Sequence, residues 1–125
     1  MLKIALFMVV GVIAFLFEYA TIAIGVSYLG IGPIYPRILS LPAAITMTWL
    51  LNRRFVFNSE KAPTFLEYFV YSSGMLAGAS VNFGCYTLIA LTSDFMYQHP
   101  FLNLVISTAV SAMFNYCFAN FIVFR

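Results

Sequence analysis

Thr48-Trp49-Leu50-Leu51-Asn52-Arg53-Arg54-Phe55-Val56-Phe57 closes an apolar run that begins near Ile34, and its reading decides the fold. A run of this kind ending in Asn-Arg-Arg, with Trp49, Phe55 and Phe57 around it, has the composition of a membrane helix meeting the cytoplasmic headgroups. Basic residues collect on that side, and aromatic rings settle at the interface. Two roles are open for Arg53 and Arg54. They act as a positive-inside stop signal, or their guanidinium forks hold a lipid phosphate, whose oxygens a guanidinium matches bidentately.

Composition agrees with a membrane protein. Of 125 residues, 63% are hydrophobic and 8% charged, whereas a soluble domain carries about a quarter charged residues. The length fits a single domain. A net charge of +2 provides no basic face for nucleic acid. Cys85 and Cys117 fall inside predicted spans and read as small apolar residues rather than a disulfide framework. The apolar run after Met1-Leu2-Lys3 continues to about Leu29 with no small-residue cleavage site. It therefore reads as a retained helix, not a secretory signal.

Four stretches, residues 4–29, 35–57, 65–91 and 100–124, reach the roughly 20 residues that a membrane helix needs. The expected fold is an all-α integral membrane protein, one four-helix transmembrane domain over residues 1–125. The breaks are short: Gly30 to Pro33, Asn58 to Thr64 with Glu60, Lys61 and Pro63, and Thr92 to His99 with Asp94. Short breaks make neighbouring helices antiparallel. Lys3, Arg53, Arg54, Lys61 and Arg125 then share one side against Arg37 alone on the other, so both termini are expected in the cytoplasm of a cell whose inner (plasma) membrane the chain crosses several times.

The second half echoes the first at an offset of about 67 residues. Pro33, Ser40, Thr48, Val56 and Phe57 correspond to Pro100, Ser107, Asn115, Val123 and Phe124, and with a small shift Ala14 and Glu18 correspond to Gly78 and Asn82. The chain reads as a duplicated two-helix hairpin whose copies cross the membrane in the same sense, related by an axis along the normal.

Residues four apart share a helix face. Ser40, Ala44, Thr48 and Asn52 form one small or polar stripe, Ser107, Ser111, Asn115 and Ala119 a second, and Gly74, Gly78 and Asn82 a third. Such stripes serve helix packing, because small residues admit close approach and polar ones bond across helices. Glu18 stands apart. An ionisable group near the middle of a span marks a pathway, a proton site or a buried pair, and a protonated carboxyl bonded to a neighbouring helix is the structural alternative. Arg37, at the outer edge, either snorkels to the headgroups or belongs to a site. His99 has no second ligand at metal spacing, and no phosphate-cradling glycine loop occurs. Neither enzyme chemistry, a metal nor a cofactor is expected.

With these residues in view, the chain resembles the GtrA-like family of small four-helix membrane proteins. The resemblance is carried by Arg37-x-x-Ser40, by Thr48 to Phe57, and by Asn120-Phe121-Ile122-Val123-Phe124-Arg125, and covers nearly the whole chain. It departs from symmetry where Asn120 stands opposite Arg53. The resemblance implies flipping of a polyprenyl-phosphate-linked sugar from the cytoplasmic to the outer leaflet, for glycosylation of cell-surface polysaccharide. Its partners would be that lipid, the surrounding membrane lipids and membrane glycosyltransferases, with a homodimer expected from the glycine ladders. On this reading the substrate-binding residues are Arg53, Arg54 and Asn52 for phosphate inside, Glu18, Thr48, Asn82 and Asn115 for the sugar at mid-depth, and Arg37 with Ser40 for phosphate outside. Two other functions compete. A proton-coupled exporter like the small multidrug-resistance proteins would have an arginine-free acidic cavity, and a scaffold recruiting a glycosyltransferase would have no internal polar cleft.

Overall fold

The computed structural model describes every residue except Pro33, and describes Ile34 and Arg37 by their backbone alone. The Pro33 end of the proposed repeat and the Arg37 side chain thus lie outside the described residues. All regular structure among the described residues is helical. The chain divides into two compact units, Met1–Pro63 and Thr64–Arg125.

In the first unit, helix α1 (Leu2–Ser27) packs on α2 (Ile34–Leu51). At about 1.5 Å per residue the 26 residues of α1 extend about 39 Å, more than a hydrocarbon core of about 30 Å. The two helices approach closely where a Cβ on buried Gly25 would run into the ring of Pro36. Pro42 lies inside α2, where it offers no N–H to the carbonyl one turn back. The run expected as one helix over 35–57 changes character at Asn52. Asn52–Val56 is a π turn, closed by a bond from the Phe57 N–H to the Asn52 carbonyl at 2.9 Å.

The second unit pairs α3 (Phe65–Thr92) with α5 (Pro100–Phe118). Thr64 caps α3 by accepting the Glu67 N–H at 3.1 Å, the usual N-cap arrangement. Pro100 opens α5 at its first turn, where the missing N–H has no helical partner to lose. The break expected as plain loop over 92–99 holds a five-residue helix, α4 (Asp94–Gln98), because Ser93 caps it by accepting the Met96 N–H at 3.3 Å and Asp94 sits in its first turn. α5 ends in a second π turn, Ala119–Val123, where the Phe124 N–H reaches the Ala119 carbonyl at 2.9 Å.

The π turns begin at Asn52 and Ala119, 67 positions apart. Burial follows the same spacing. Pro36, Ser40, Ala44 and Asn52 are buried with Thr48 half-buried, and Asn103, Ser107, Ser111 and Ala119 are buried with Asn115 half-buried.

The interior holds polar Ser40, Asn52, Arg53, Asn103, Ser107 and Ser111 alongside apolar Phe7, Val10, Ala44, Val56, Tyr71 and Ala119, while Phe15, Leu39, Phe83 and Phe101 are among many large apolar side chains left exposed. In water so much apolar surface would be untenable, so the exposed apolar faces belong against lipid. Leu2–Ser27, Phe65–Thr92 and Pro100–Val123 are long and apolar enough to cross a membrane.

Candidate functional site

The first π turn builds a groove. A π turn bonds i to i+5, is rare, and is frequently found at functional sites. Here it carries Asn52, Arg53 and Arg54. Asn58 follows with φ 47°, a left-handed conformation that asparagine tolerates better than most residues. That reversal returns the chain, so the Ser59 N–H donates to the Arg53 carbonyl at 2.9 Å and Arg53 Nη1 donates to Ser59 Oγ at 3.0 Å. The resulting open hollow, about 980 Å³, is lined by Arg53, Arg54, Asn58, Ser59, Glu60 and Lys61 together with Leu50, Phe55 and Pro63.

Charge in this groove is unequal. Arg53, Arg54 and Lys61 oppose Glu60, which favours an anion. Arg53 is only 6% exposed, so its charge is poorly screened, whereas Arg54 and Lys61 are exposed. Lys3 Nζ lies 6.0 Å from the centre of the Phe57 ring, which brings a fourth cation of the first unit to the same end of the α1–α2 pair. Apolar Leu50 and Phe55 give the groove a greasy wall beside its cations.

The other residues expected in a site are placed as follows. In the first unit Ser40 is buried, and Thr48 Oγ1 donates to the Ile45 carbonyl of its own helix at 2.9 Å. Glu18 is half-buried, and its Oε1 is enclosed with no hydrogen-bond partner among the described residues. In the second unit Asn82 Nδ2 donates to Thr108 Oγ1 and Ser111 Oγ, both at 3.3 Å, and so ties α3 to α5. Asn115 lies against Gly78, with Oδ1 enclosed and no partner among the described residues.

Residues 6–124 match the family model described as GtrA/DPMS, transmembrane domain. The chain belongs to the GtrA/DPMS transmembrane-domain family. No curated protein and no solved structure matches it. The GtrA/DPMS match runs through both π turns and the whole basic groove. With the exposed apolar helices, membership makes this an integral membrane protein.

Several parts of this GtrA/DPMS domain come to light only in the structure. Ser59, Glu60 and Lys61 read as a connecting loop, and no hydropathy signal announces that they fold back over Arg53. Asn103 is 1% exposed, donates through Nδ2 to the Tyr86 carbonyl at 3.0 Å, and accepts from Ser107 Oγ at 3.3 Å. Its position four residues before Ser107 extends the second polar stripe by one turn, and that spacing was the available signal.

Proposed function

We propose that this GtrA/DPMS protein flips a polyprenyl-phosphate-linked sugar from the cytoplasmic to the outer leaflet, acting as a translocator rather than an enzyme. The observation that carries the reading is the buried Arg53 set beside Arg54 and Lys61 in an open groove with an apolar wall. A prenyl tail stays in lipid while its phosphate needs fixed cations. Arginine provides a planar fork for phosphate oxygens, and the position at the end of α2 suits a headgroup-level site. The sugar hydroxyls need polar partners on the way, since each left bare costs about a few kcal/mol. Glu18, with an enclosed and unpaired carboxyl oxygen, is the polar group of the first unit best suited to that task.

The same reading takes the chain as one four-span domain of the inner membrane with both termini cytoplasmic, built from a duplicated hairpin. The 67-residue spacing of the π turns and the matching buried stripes support the duplication. The copies have diverged in charge, because the second π turn carries Asn120 in the place of Arg53.

The test is translocation in proteoliposomes of a short-chain polyprenyl-phosphate sugar, followed by its accessibility to an impermeant lectin. Arg53→Lys and Arg37→Lys are expected to slow transfer while the protein still inserts. Folded Arg53→Ala and Arg37→Ala variants that transfer at the wild-type rate would overturn the reading.

A further inference from the structure

Two hydrogen bonds join Ser59 to Arg53, and they leave one donor over. The backbone N–H of Ser59 donates to the Arg53 carbonyl at 2.9 Å. Its Oγ accepts from Arg53 Nη1 at 3.0 Å. A serine hydroxyl has one hydrogen to donate and two lone pairs. With a lone pair held by the guanidinium, the hydrogen is left to donate to another acceptor, and a bond received from a cation strengthens the one given.

The helix-ending task does not need that hydroxyl. Reversal at this point is made by left-handed Asn58 and by the Ser59 backbone N–H, the pattern in which helices close their last carbonyls. Any residue at 59 except proline would supply the same N–H. The side chain is half-buried and lines the groove together with Arg53 and Arg54.

We propose that Ser59 is a direct ligand of phosphate: its hydroxyl donates to a non-bridging oxygen of a prenyl-phosphate headgroup while Arg53, bonded behind it, and Arg54 supply the charge. The inference rests on the translocation reading for its choice of a lipid-linked phosphate. A hydroxyl held by an arginine fixes the direction of one phosphate oxygen, where a loose lysine would only attract the charge.

The experiment titrates the full chain in phosphatidylcholine nanodiscs with farnesyl phosphate, using farnesol and inorganic phosphate as controls. Ser59→Ala is expected to weaken farnesyl phosphate about tenfold and Ser59→Thr, which keeps the hydroxyl, by no more than about twofold. Farnesol binding should be the same in wild type and Ser59→Ala. If Arg53→Ala loses binding and Ser59→Ala does not, the Ser59 assignment fails and the phosphate groove stands. If Arg53→Ala binds like wild type, the groove reading fails and takes this inference with it. Equal weakening of farnesol by Ser59→Ala would mean a packing effect and overturn the assignment. Inorganic phosphate bound as tightly as farnesyl phosphate would overturn the lipid headgroup as the ligand.

Discussion

Asn115 lays its side-chain amide over Gly78, in the space that a Cβ at position 78 would occupy. At Gly74, one turn earlier, the ring of Phe118 fills the equivalent space. Two successive turns of α3 therefore have α5 side chains seated on bare backbone. Gly78→Ala and Gly74→Ala should each destabilise the second unit by about 1–3 kcal/mol through overpacking. A Cβ on Gly84, also in α3, would meet nothing within 4 Å, so Gly84→Ala should be neutral or stabilising by up to about 1 kcal/mol. Reversible unfolding in detergent separates them. Equal shifts at 78 and 84 would contradict a close seam.

The buried amide of Asn103 joins α5 to α3 through the Tyr86 carbonyl and also receives Ser107. Replacing it with alanine should cost about 0.5–2 kcal/mol, the range of interhelical hydrogen bonds in membranes. Because Ser107 shares the same amide, Asn103→Ala combined with Ser107→Ala should cost less than the sum of the two. An additive double-mutant cycle would show that the Asn103–Ser107 bond carries no energy.

Glu18 is expected to respond in the opposite direction. An enclosed carboxyl oxygen without a hydrogen-bond partner opposes folding, so Glu18→Leu should leave unfolding stability unchanged or raise it. Translocation should fall in the same variant. A stability loss above about 1 kcal/mol would indicate that the carboxyl has a partner worth a hydrogen bond.

Sidedness is tested with single cysteines in a background lacking Cys85 and Cys117, both free thiols. Exposed Glu60 and Gln98 are the sites. We expect Glu60→Cys to label only after the cytoplasmic face is opened and Gln98→Cys to label in intact cells. Labelling of position 60 from outside would reverse the orientation and the leaflets assigned to the groove.

Hydropathy made the long helices legible because each is a long apolar run, and the stripe 40–44–48–52 was visible because residues four apart share a face. The π turns were not legible, since i to i+5 bonding leaves no mark on hydropathy. Nor was α4, whose five residues are too few for a periodic signal. Arg53 reads from sequence as a stop signal or a phosphate ligand, but neither reading reveals that it is buried and bonded to Ser59, a pairing that depends on the left-handed Asn58. The bonds from Asn82 Nδ2 to Thr108 and Ser111 across the α3–α5 seam could not be read from hydropathy either, because they depend on how the two helices face each other.

Each π turn also acts as an angular offset. An α-helix rotates about 100° per residue, and a turn holding one extra residue delays everything after it by about that angle. The chain leaves Asn52–Val56 in a direction that an uninterrupted helix would have reached one residue earlier. Removing a single residue there, such as exposed Phe55, would return the segment to α geometry and swing Asn58 and Ser59 away from Arg53. The apolar length of α2 would hardly change. Such a deletion would leave α2 in place with its loop pointing the wrong way, so the groove depends on an angle as much as on its charges.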